Sequence, residues 1–316
     1  MKSPDDIHFS ICMPVYNGRG HIAGALESVR AQTHPHWELI VVEDASSEPC
    51  QDIVEAFAAT VTQRVLYHAN PINLGCARTR DLGFALAQHA YLAPLDHDDV
   101  WRPGHLAALA REFADGDPDF VFTGCTTFGN DINAPGPDFM PQPSMLGELR
   151  AAFFYCRYWT QPSSLAFNRR LLARIGPWSQ GLERKPKHLP GHRDMAEDRN
   201  FILRAFKAGV EPRWTGQVTT FYRQHTASMR AQDNYNLVTR AWLHNELGLF
   251  EGFSRREQRH YLGHVNANAA RVLASNPRYR RLATSFYFQA WRWCPWRVDR
   301  LWRAAWTRMQ PAASAQ

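Results

Sequence analysis

Tyr91 to Trp101 reads YLAPLDHDDVW, an apolar run that ends in three carboxylates, Asp96, Asp98 and Asp99, with His97 between the first two. Carboxylates this close raise one another's pKa and oppose folding unless positive charge sits among them. Their hard oxygens suit Mg²⁺ or Mn²⁺, ions that keep coordination positions open for substrate phosphates. The competing reading is an acidic capping turn ahead of the Trp101-Arg102-Pro103 break. Arg78 and Arg80, expected on the loop after the third strand and beside the same crevice, favour the first reading, because a guanidinium can grip phosphate in a bidentate fork. A diphosphate held between a divalent ion and an arginine accounts for both sets of charge.

The elements that must position these groups are legible in the spacing. FSICMPVYNG is an apolar run stopped by an Asn-Gly turn, hence a strand and loop. Ile22, Ala25, Leu26 and Val29 recur at helical spacing within His21 to Gln32. WELIVVEDASS is a second buried strand, Ile53, Val54, Phe57 and Ala58 mark a second helix, and RVLYHA is a third strand. NLGCARTRDLGFALAQHA is a loop and helix, and YLAPL a fourth strand. Strands alternating with helices predict an α/β fold with a mostly parallel sheet covered on both faces. Ligands then bind beyond the carboxyl ends of the strands. The polar residues collect at those ends: Tyr16 and Asn17, Glu43 and Asp44, Asn73 to Arg80, Asp96 to Asp99. Neither GxGxxG after the first strand nor GxxxxGK[ST] occurs, so the usual phosphate cradles are missing.

Beyond Gly124 the pattern loosens. GNDINAPGPDFMPQPS reads as an excursion loop, and SSLAFNRRLLARIG as a strand and short helix closed by Gly176. GLERKPKHLPGHRD is a basic loop. MAEDRNFILRAFKAG carries acids in its first turn, a late Lys207 and a terminal Gly209, the marks of a helix. VTTFYRQHTAS is a short strand running into a loop, and from Tyr235 the chain reads as helical.

PVYN, VVEDAS, NLGCARTRDLG, LDHDD and AEDRNFILRAFKAG, in that order, resemble family 2 glycosyltransferases of the GT-A fold, from about Phe9 to Ser228. The resemblance implies a Rossmann-like, mostly parallel sheet flanked by helices and a helical C-terminal extension. Residues 1–124 would form a nucleotide-sugar half, 125–230 an acceptor and catalytic half, and 231–316 the helical region. It further implies transfer of a sugar, with inversion, from a UDP- or dTDP-sugar to a saccharide or lipid-linked acceptor. The wider role would be in surface polysaccharide synthesis. Pro14, Tyr16 and Asn17 would open the base pocket and Asp44 would read the base edge. Asn73, Gly75, Arg80, Asp96 and Asp98 would complete the donor site. Asp96, Asp98 and Asp99 would ligate Mn²⁺ or Mg²⁺, and His225, in FYRQHTAS, would complete that shell or touch the diphosphate; the competing reading pairs it with a loop carboxylate. Asp198, beside Glu197, would be the base that takes the acceptor hydroxyl proton, with Asp194 the weaker candidate. Without the other motifs, a carboxylate there would read as a helix cap. The family's usual Asp-Asp is Glu43-Asp44 here, Asp81 replaces an Asn, and His97 replaces a small residue, expected to be structural. Gln161, Ser163 and Ser164 would face the acceptor. The competing function is a catalytically silent sugar-nucleotide-binding partner subunit.

The C-terminus carries a separate signal. After Pro295, Val298, Leu301, Trp302, Ala305, Trp306 and Met309 share one side of a helix. Arg297, Arg300, Arg303 and Arg308 fill the flank and the opposite face. That pattern suits a helix lying in the headgroups of an anionic membrane; the alternative packs the Trp stripe on the rest of the protein.

Over the 316 residues, 45% are hydrophobic and 21% charged, which suits a buried core and excludes a disordered chain. The net charge of +6 favours an anionic partner. Nucleic acid is not expected, since no recognised module is present and basic residues lie beside acidic ones. The six cysteines are isolated, as in reduced cytoplasmic proteins. No secretory signal or membrane span is expected, so a cytoplasmic chain is expected, peripheral on the inner face of the plasma membrane if the C-terminal Trp/Arg helix lies in headgroups and not if it packs on the protein.

Overall fold

In the computed structural model, residues 2–154, 157–184, 188–190, 196–224, 236–246 and 254–309 are described. The chain divides into two compact units, Met1–Gln180 with Phe201–His225, and Gly181–Asn200 with Thr226–Gln316.

The first unit is built on β1 (Phe9–Val15), α1 (Ile22–Arg30), β2 (Trp37–Glu43), α2 (Gln51–Ala58), β3 (Val65–Ala69), α3 (Cys76–Leu86) and β4 (Tyr91–Pro94). All seven are at the positions that the spacing predicts. β1 and β2 are buried at every residue, as continuous apolar runs must be when helices cover both faces of a parallel sheet. A helical Ala25, Leu26 and Val29 stripe closes one of those faces. Next come β5 (Val100–Trp101), α4 (His105–Ala114), β6 (Phe120–Phe128), β7 (Asp138–Phe139), α5 (Leu149–Phe154), β8 (Leu165–Asn168) and α6 (Arg170–Ile175). α7 (Glu197–Lys207), whose residues from Phe201 on belong to this unit, and β9 (Arg213–Arg223) follow.

The nine strands form one sheet in the order β3-β2-β1-β4-β8-β6-β9-β5, with β7 on β6. The β3-β2-β1-β4 portion is parallel throughout, Val15 facing Glu43 and Cys12 facing Pro94. β8 then runs antiparallel to both β4 and β6, while β9 is parallel to β6. The excursion loop expected at 129–144 holds β7, a two-residue strand on β6. Gly176 has φ +81 at the end of α6 and Gly209 φ +84 beyond α7, left-handed positions where glycine carries no Cβ penalty.

The second unit contains α8 (Asn236–Glu246), α9 (Arg255–Ala274), α10 (Arg280–Trp293) and α11 (Val298–Met309). Asn245 Nδ2 donates to Asn266 Oδ1 at 2.9 Å and to Gln289 Oε1 at 2.8 Å, a polar ladder that ties α8, α9 and α10 together. Five cysteines, Cys12, Cys50, Cys76, Cys125 and Cys294, are free thiols. No described helix is long and apolar enough to cross a membrane.

One buried histidine makes the first unit acid-sensitive. The His105 ring is fully buried, stacks on Trp101 at 4.2 Å, and bonds Thr219 Oγ1 through Nδ1 at 2.8 Å. Burial pushes its pKa down to about 3 from the ordinary 6.5. Between those values the unfolded chain holds the extra proton, so stability is complete above 6.5 and is lost as the pH falls. Urea titrations across this range are expected to show a loss of about 1.4 kcal/mol per pH unit from this group. His105→Gln should flatten that limb while lowering stability at neutral pH.

Candidate active site

Because β1 to β4 run parallel in register, the segments that follow them emerge along one edge. Asp44 N donates to Val15 O at 2.7 Å, Asn70 N to Glu43 O at 2.8 Å, and Leu95 N to Cys12 O at 3.0 Å. Pro14, Tyr16, Asn17, Asp44, Asn73, Gly75, Asp96 and Asp98 are thus gathered at the carboxyl edge. Left-handed residues also gather there: Asn17 (φ 49), Ala45 (φ 56) and Gly75 (φ 87). Such backbone is costly for a non-glycine residue and concentrates at functional sites.

Asp44 organises the first half of this edge. Its carboxylate is buried and accepts from Leu74 N at 2.8 Å, Gly75 N at 2.9 Å and Asn70 Nδ2 at 2.9 Å. Asn73 Nδ2 donates to the Asp44 carbonyl at 3.1 Å. Asp44 therefore pins the 70–75 loop at the start of α3. Glu43 reaches the other way and accepts from Cys50 N at 3.0 Å at the start of α2, and from the Ser46 hydroxyl. Above this floor Tyr16 stands 52% exposed, an open aromatic face. Asn17 Oδ1 accepts from Ser47 N at 3.0 Å and closes the loop beside it.

The acidic turn is neutralised from inside the protein. Arg80 sits on α3, not on the preceding loop, and its guanidinium is buried. It donates to Asp96 Oδ1 at 2.6 Å and lies 5.0 Å from the centre of the Trp178 ring. It therefore acts on the turn through Asp96 instead of projecting as a phosphate fork; Arg78 on the same helix is exposed. Asp99, expected among the metal ligands, is turned into the protein and fully buried. Its Oδ2 accepts from Ser163 Oγ at 2.6 Å and its Oδ1 from Arg223 N at 2.9 Å. Burial, then the charges of Asp98 and Asp96, hold its pKa well above the usual carboxylate range. Asp96 and Asp98 remain half-buried on the outer side of the turn.

Ser163 is the hub of this arrangement. Besides Asp99, its Oγ receives Asp96 N at 3.0 Å, and its carbonyl receives Trp101 Nε1 at 2.6 Å and Thr220 Oγ1 at 3.1 Å. Ser163 and Ser164 are fully buried and hold the turn from beneath, so they are not an acceptor surface. Gln161 Nε2 donates to Cys125 Sγ at 2.5 Å. Arg223 completes the clamp, with Nε donating to the Asp98 carbonyl at 2.8 Å and its guanidinium 4.3 Å from the Phe128 ring centre. The sequence singles out Ser163 for the acceptor, but no local pattern ties it to Asp99, 64 residues away. The His97 ring packs over Gly18, where a Cβ would collide with it, and Nδ1 lies 3.2 Å from the Pro14 carbonyl. Asp81, in place of an Asn, accepts from Trp178 N at 2.6 Å and Ser179 N at 3.0 Å.

Among the described residues no three His, Cys, Asp or Glu side chains converge as a metal site. The inward turn of Asp99 explains this, since it leaves two carboxylates on the outer side. Two are enough for Mg²⁺ or Mn²⁺, which bind through one or two carboxylates plus substrate phosphates and water. His225 and Asp194 lie outside the described residues. An open cleft of about 550 Å³, lined by Pro118, Leu146, Pro212 and Trp214 among others, lies at the opposite, amino-terminal edge of β6 and β9. It takes no part in the chemistry considered.

Glu197 and Asp198 open α7, within the second unit. Glu197 is buried, Asp198 less so. Ala196 just before them has φ 63. Arg199, buried next to Asp198, anchors this helix start: Nη2 donates to Tyr261 OH at 3.0 Å and Nε to His244 Nε2 at 3.3 Å. Burial, then the charges of Arg199 and Arg240, keep His244 well below its ordinary pKa, so it accepts as a neutral imidazole.

A family model described as "Glycosyl transferase family 2" matches residues 10–173. TuaG of Bacillus subtilis (strain 168), a glycosyltransferase named for teichuronic acid biosynthesis, is 32% identical over 137 residues, 43% of this chain and 54% of its own. The chain thus matches about half the length of that curated relative. WfaP of Escherichia coli, named a UDP-Glc:alpha-D-GlcNAc-diphosphoundecaprenol beta-1,3-glucosyltransferase, is 24% identical over 251 residues, 76% of this chain and 86% of its own. Among solved structures, S. aureus TarS 1-349 in complex with UDP-GlcNAc aligns at a TM-score of 0.58 with 17% identity, over 96% of this chain and 93% of that one. The fold is accordingly that of the GT-A proteins, a central sheet flanked by helices with a helical C-terminal region. By its sequence match, this chain belongs to glycosyl transferase family 2.

Proposed function

We propose that this chain is a metal-dependent, inverting glycosyltransferase. It moves a sugar from a UDP- or dTDP-sugar to a hydroxyl of a saccharide or lipid-linked acceptor, in surface polysaccharide synthesis. The observation that carries this reading is the acidic turn: two carboxylates, Asp96 and Asp98, stand at the carboxyl edge of a parallel sheet beside an exposed Tyr16 and a loop pinned by Asp44. An edge with that charge and that aromatic face suits a nucleoside diphosphate carried with a divalent ion. WfaP, named for a UDP-glucose donor and a diphosphoundecaprenol-linked acceptor, supports the substrate classes, as does TarS with UDP-GlcNAc.

In this reading the base lies against Tyr16, over the floor formed by Pro14 and Asp44, with Asn17, Asn73 and Gly75 beside it. Asp98, with Asp96, would hold Mn²⁺ or Mg²⁺, and His225 would add to that shell. Held by those residues, such an ion would offset the negative charge of the leaving diphosphate. Arg80 keeps Asp96 oriented, and Asp99 with Ser163 and Arg223 fixes the turn. The acceptor hydroxyl attacks the anomeric carbon opposite the leaving group. One C–O bond forms while the C–O bond to the diphosphate breaks, and configuration inverts. Asp198 takes the hydroxyl proton. Between the two acids, its greater exposure favours Asp198 over Glu197, and the Arg199 amide donates to its Oδ1 at 2.6 Å.

Two measurements test this reading. UDP- and dTDP-sugars are expected to raise the melting temperature in the presence of Mn²⁺ and much less in its absence, as binding to the folded state stabilises it. Asp98→Asn should weaken that Mn²⁺-dependent binding at least about ten-fold, equivalent to about 1.4 kcal/mol. An equal response with and without the metal, or in the Asp98 variant, would remove the metal from the mechanism. Asp198→Asn should lower the turnover of donor by about 10²- to 10⁴-fold with donor binding intact. A wild-type chain that binds donor but turns none over, with every acceptor class supplied, would instead be the silent partner subunit.

A further inference from the structure

The last helix presents its apolar stripe to solvent. On α11, Arg300, Ala304 and Thr307 are the buried positions. They face the neighbouring helices: Arg300 Nη1 donates to the Ala290 carbonyl of α10 at 3.0 Å, and Thr284 Oγ1 to the Ala304 carbonyl at 3.5 Å. Gly263 of α9 leaves the room this requires, since a Cβ there would stand 2.7 Å from Arg300 Nη1. Arg300 is thus an internal anchor and not part of the outer flank that the sequence pattern suggests. Helical geometry puts Val298, Leu301, Trp302, Ala305 and Trp306 on the opposite side, within an arc of about 140°. Trp302 is 71% exposed and Trp306 64%, with Trp296 of the preceding turn at 62%. Among the described residues of the second unit, the stripe therefore has no packing partner.

The chemistry of this face selects its occupant. From Phe288 to Met309 there are five arginines and one acid, Asp299, which pairs with Arg297 at 2.8 Å. Arg292 and Arg303 are exposed with the tryptophans. Tryptophan prefers the boundary between headgroups and acyl chains, and arginine beside it pairs with lipid phosphate. A helix of 12 residues is too short to span a bilayer but suits lying in its surface. We propose that α11, with Trp296, docks the protein on an anionic lipid bilayer, its tryptophans at the acyl boundary and Arg292 and Arg303 among the headgroups. Docking does not depend on the transfer reaction, so its failure leaves the transferase reading standing.

Flotation of the full chain with vesicles of phosphatidylcholine, with and without phosphatidylglycerol, tests the proposal. The protein should float with the anionic vesicles, far less with neutral ones, and progressively less as salt rises. The W302E/W306E variant should lose at least about ten-fold in partitioning, and R292E/R303E should lose the preference for anionic vesicles. Because these side chains face solvent, melting temperature and the donor-induced shift should stay as in the parent. Flotation of W302E/W306E equal to the parent's, or none by the parent on either vesicle, overturns the proposal. So does a sedimentation result in which the parent is a dimer that W302E/W306E dissociates and that never floats, since the face would then be covered by a second copy.

Discussion

Three carboxylates within four residues of a strand end are the constraint around which the first unit is arranged. Each carboxyl group must be matched by hydrogen-bond partners or water, or be held toward its neutral form, because a buried unpaired charge costs several kcal/mol. Asp96 is met by the buried Arg80, Asp99 by the Ser163 hydroxyl and the Arg223 amide. These partners come from α3, the segment before β8 and the end of β9, so the turn draws distant parts of the chain to one place. The internal donors also set the roles apart. Asp99, which the protein buries completely, is a structural pin, while Asp96 and Asp98 stay half-buried.

The same logic governs the neighbouring edge. Asp44 could face solvent, yet it spends its oxygens on the amides of Leu74 and Gly75. That fixes the loop leading into α3 and hence the position of Arg80 one helical turn later. Trp178 then carries the far side of Arg80 and stacks on Phe201 at 4.2 Å. The Asp44 loop, α3 and the aromatic core are therefore linked in one chain of contacts, and a change in that loop would be felt at Asp96.

The second unit solves a different problem. It buries Arg199, His244 and Tyr261 in a hydrogen-bonded set that holds the start of α7. At its other end it spends Arg300 inward and leaves tryptophans outside. Covering Trp302 and Trp306 and exposing the arginines would be the ordinary choice for a helix in water. Here the order is reversed, with Trp302 71% and Trp306 64% exposed and Arg300 buried.

Hydrophobic periodicity and strand-end chemistry were enough to locate β1 to β4 with α1 to α3, because those strands are unbroken apolar runs and their helices have regular stripes. The carboxyl edge was legible for the same reason: parallel strands in a right-handed α/β order leave their loops on one side. β5 was not, since two residues become a strand only when β9, more than a hundred residues on, pairs with them. Nor could composition tell Asp99 from Asp98, for both are aspartates in one turn. Only the arrival of Ser163 and Arg223 decides which is sealed inside. The amphipathic pattern of α11 likewise showed that a stripe existed, but a period is indifferent to direction. The sequence by itself determined which groups share a strand end or a helix face. Tertiary contacts, made by residues with no local spacing relation to them, decided which of those groups are buried as structure and which are left facing outward.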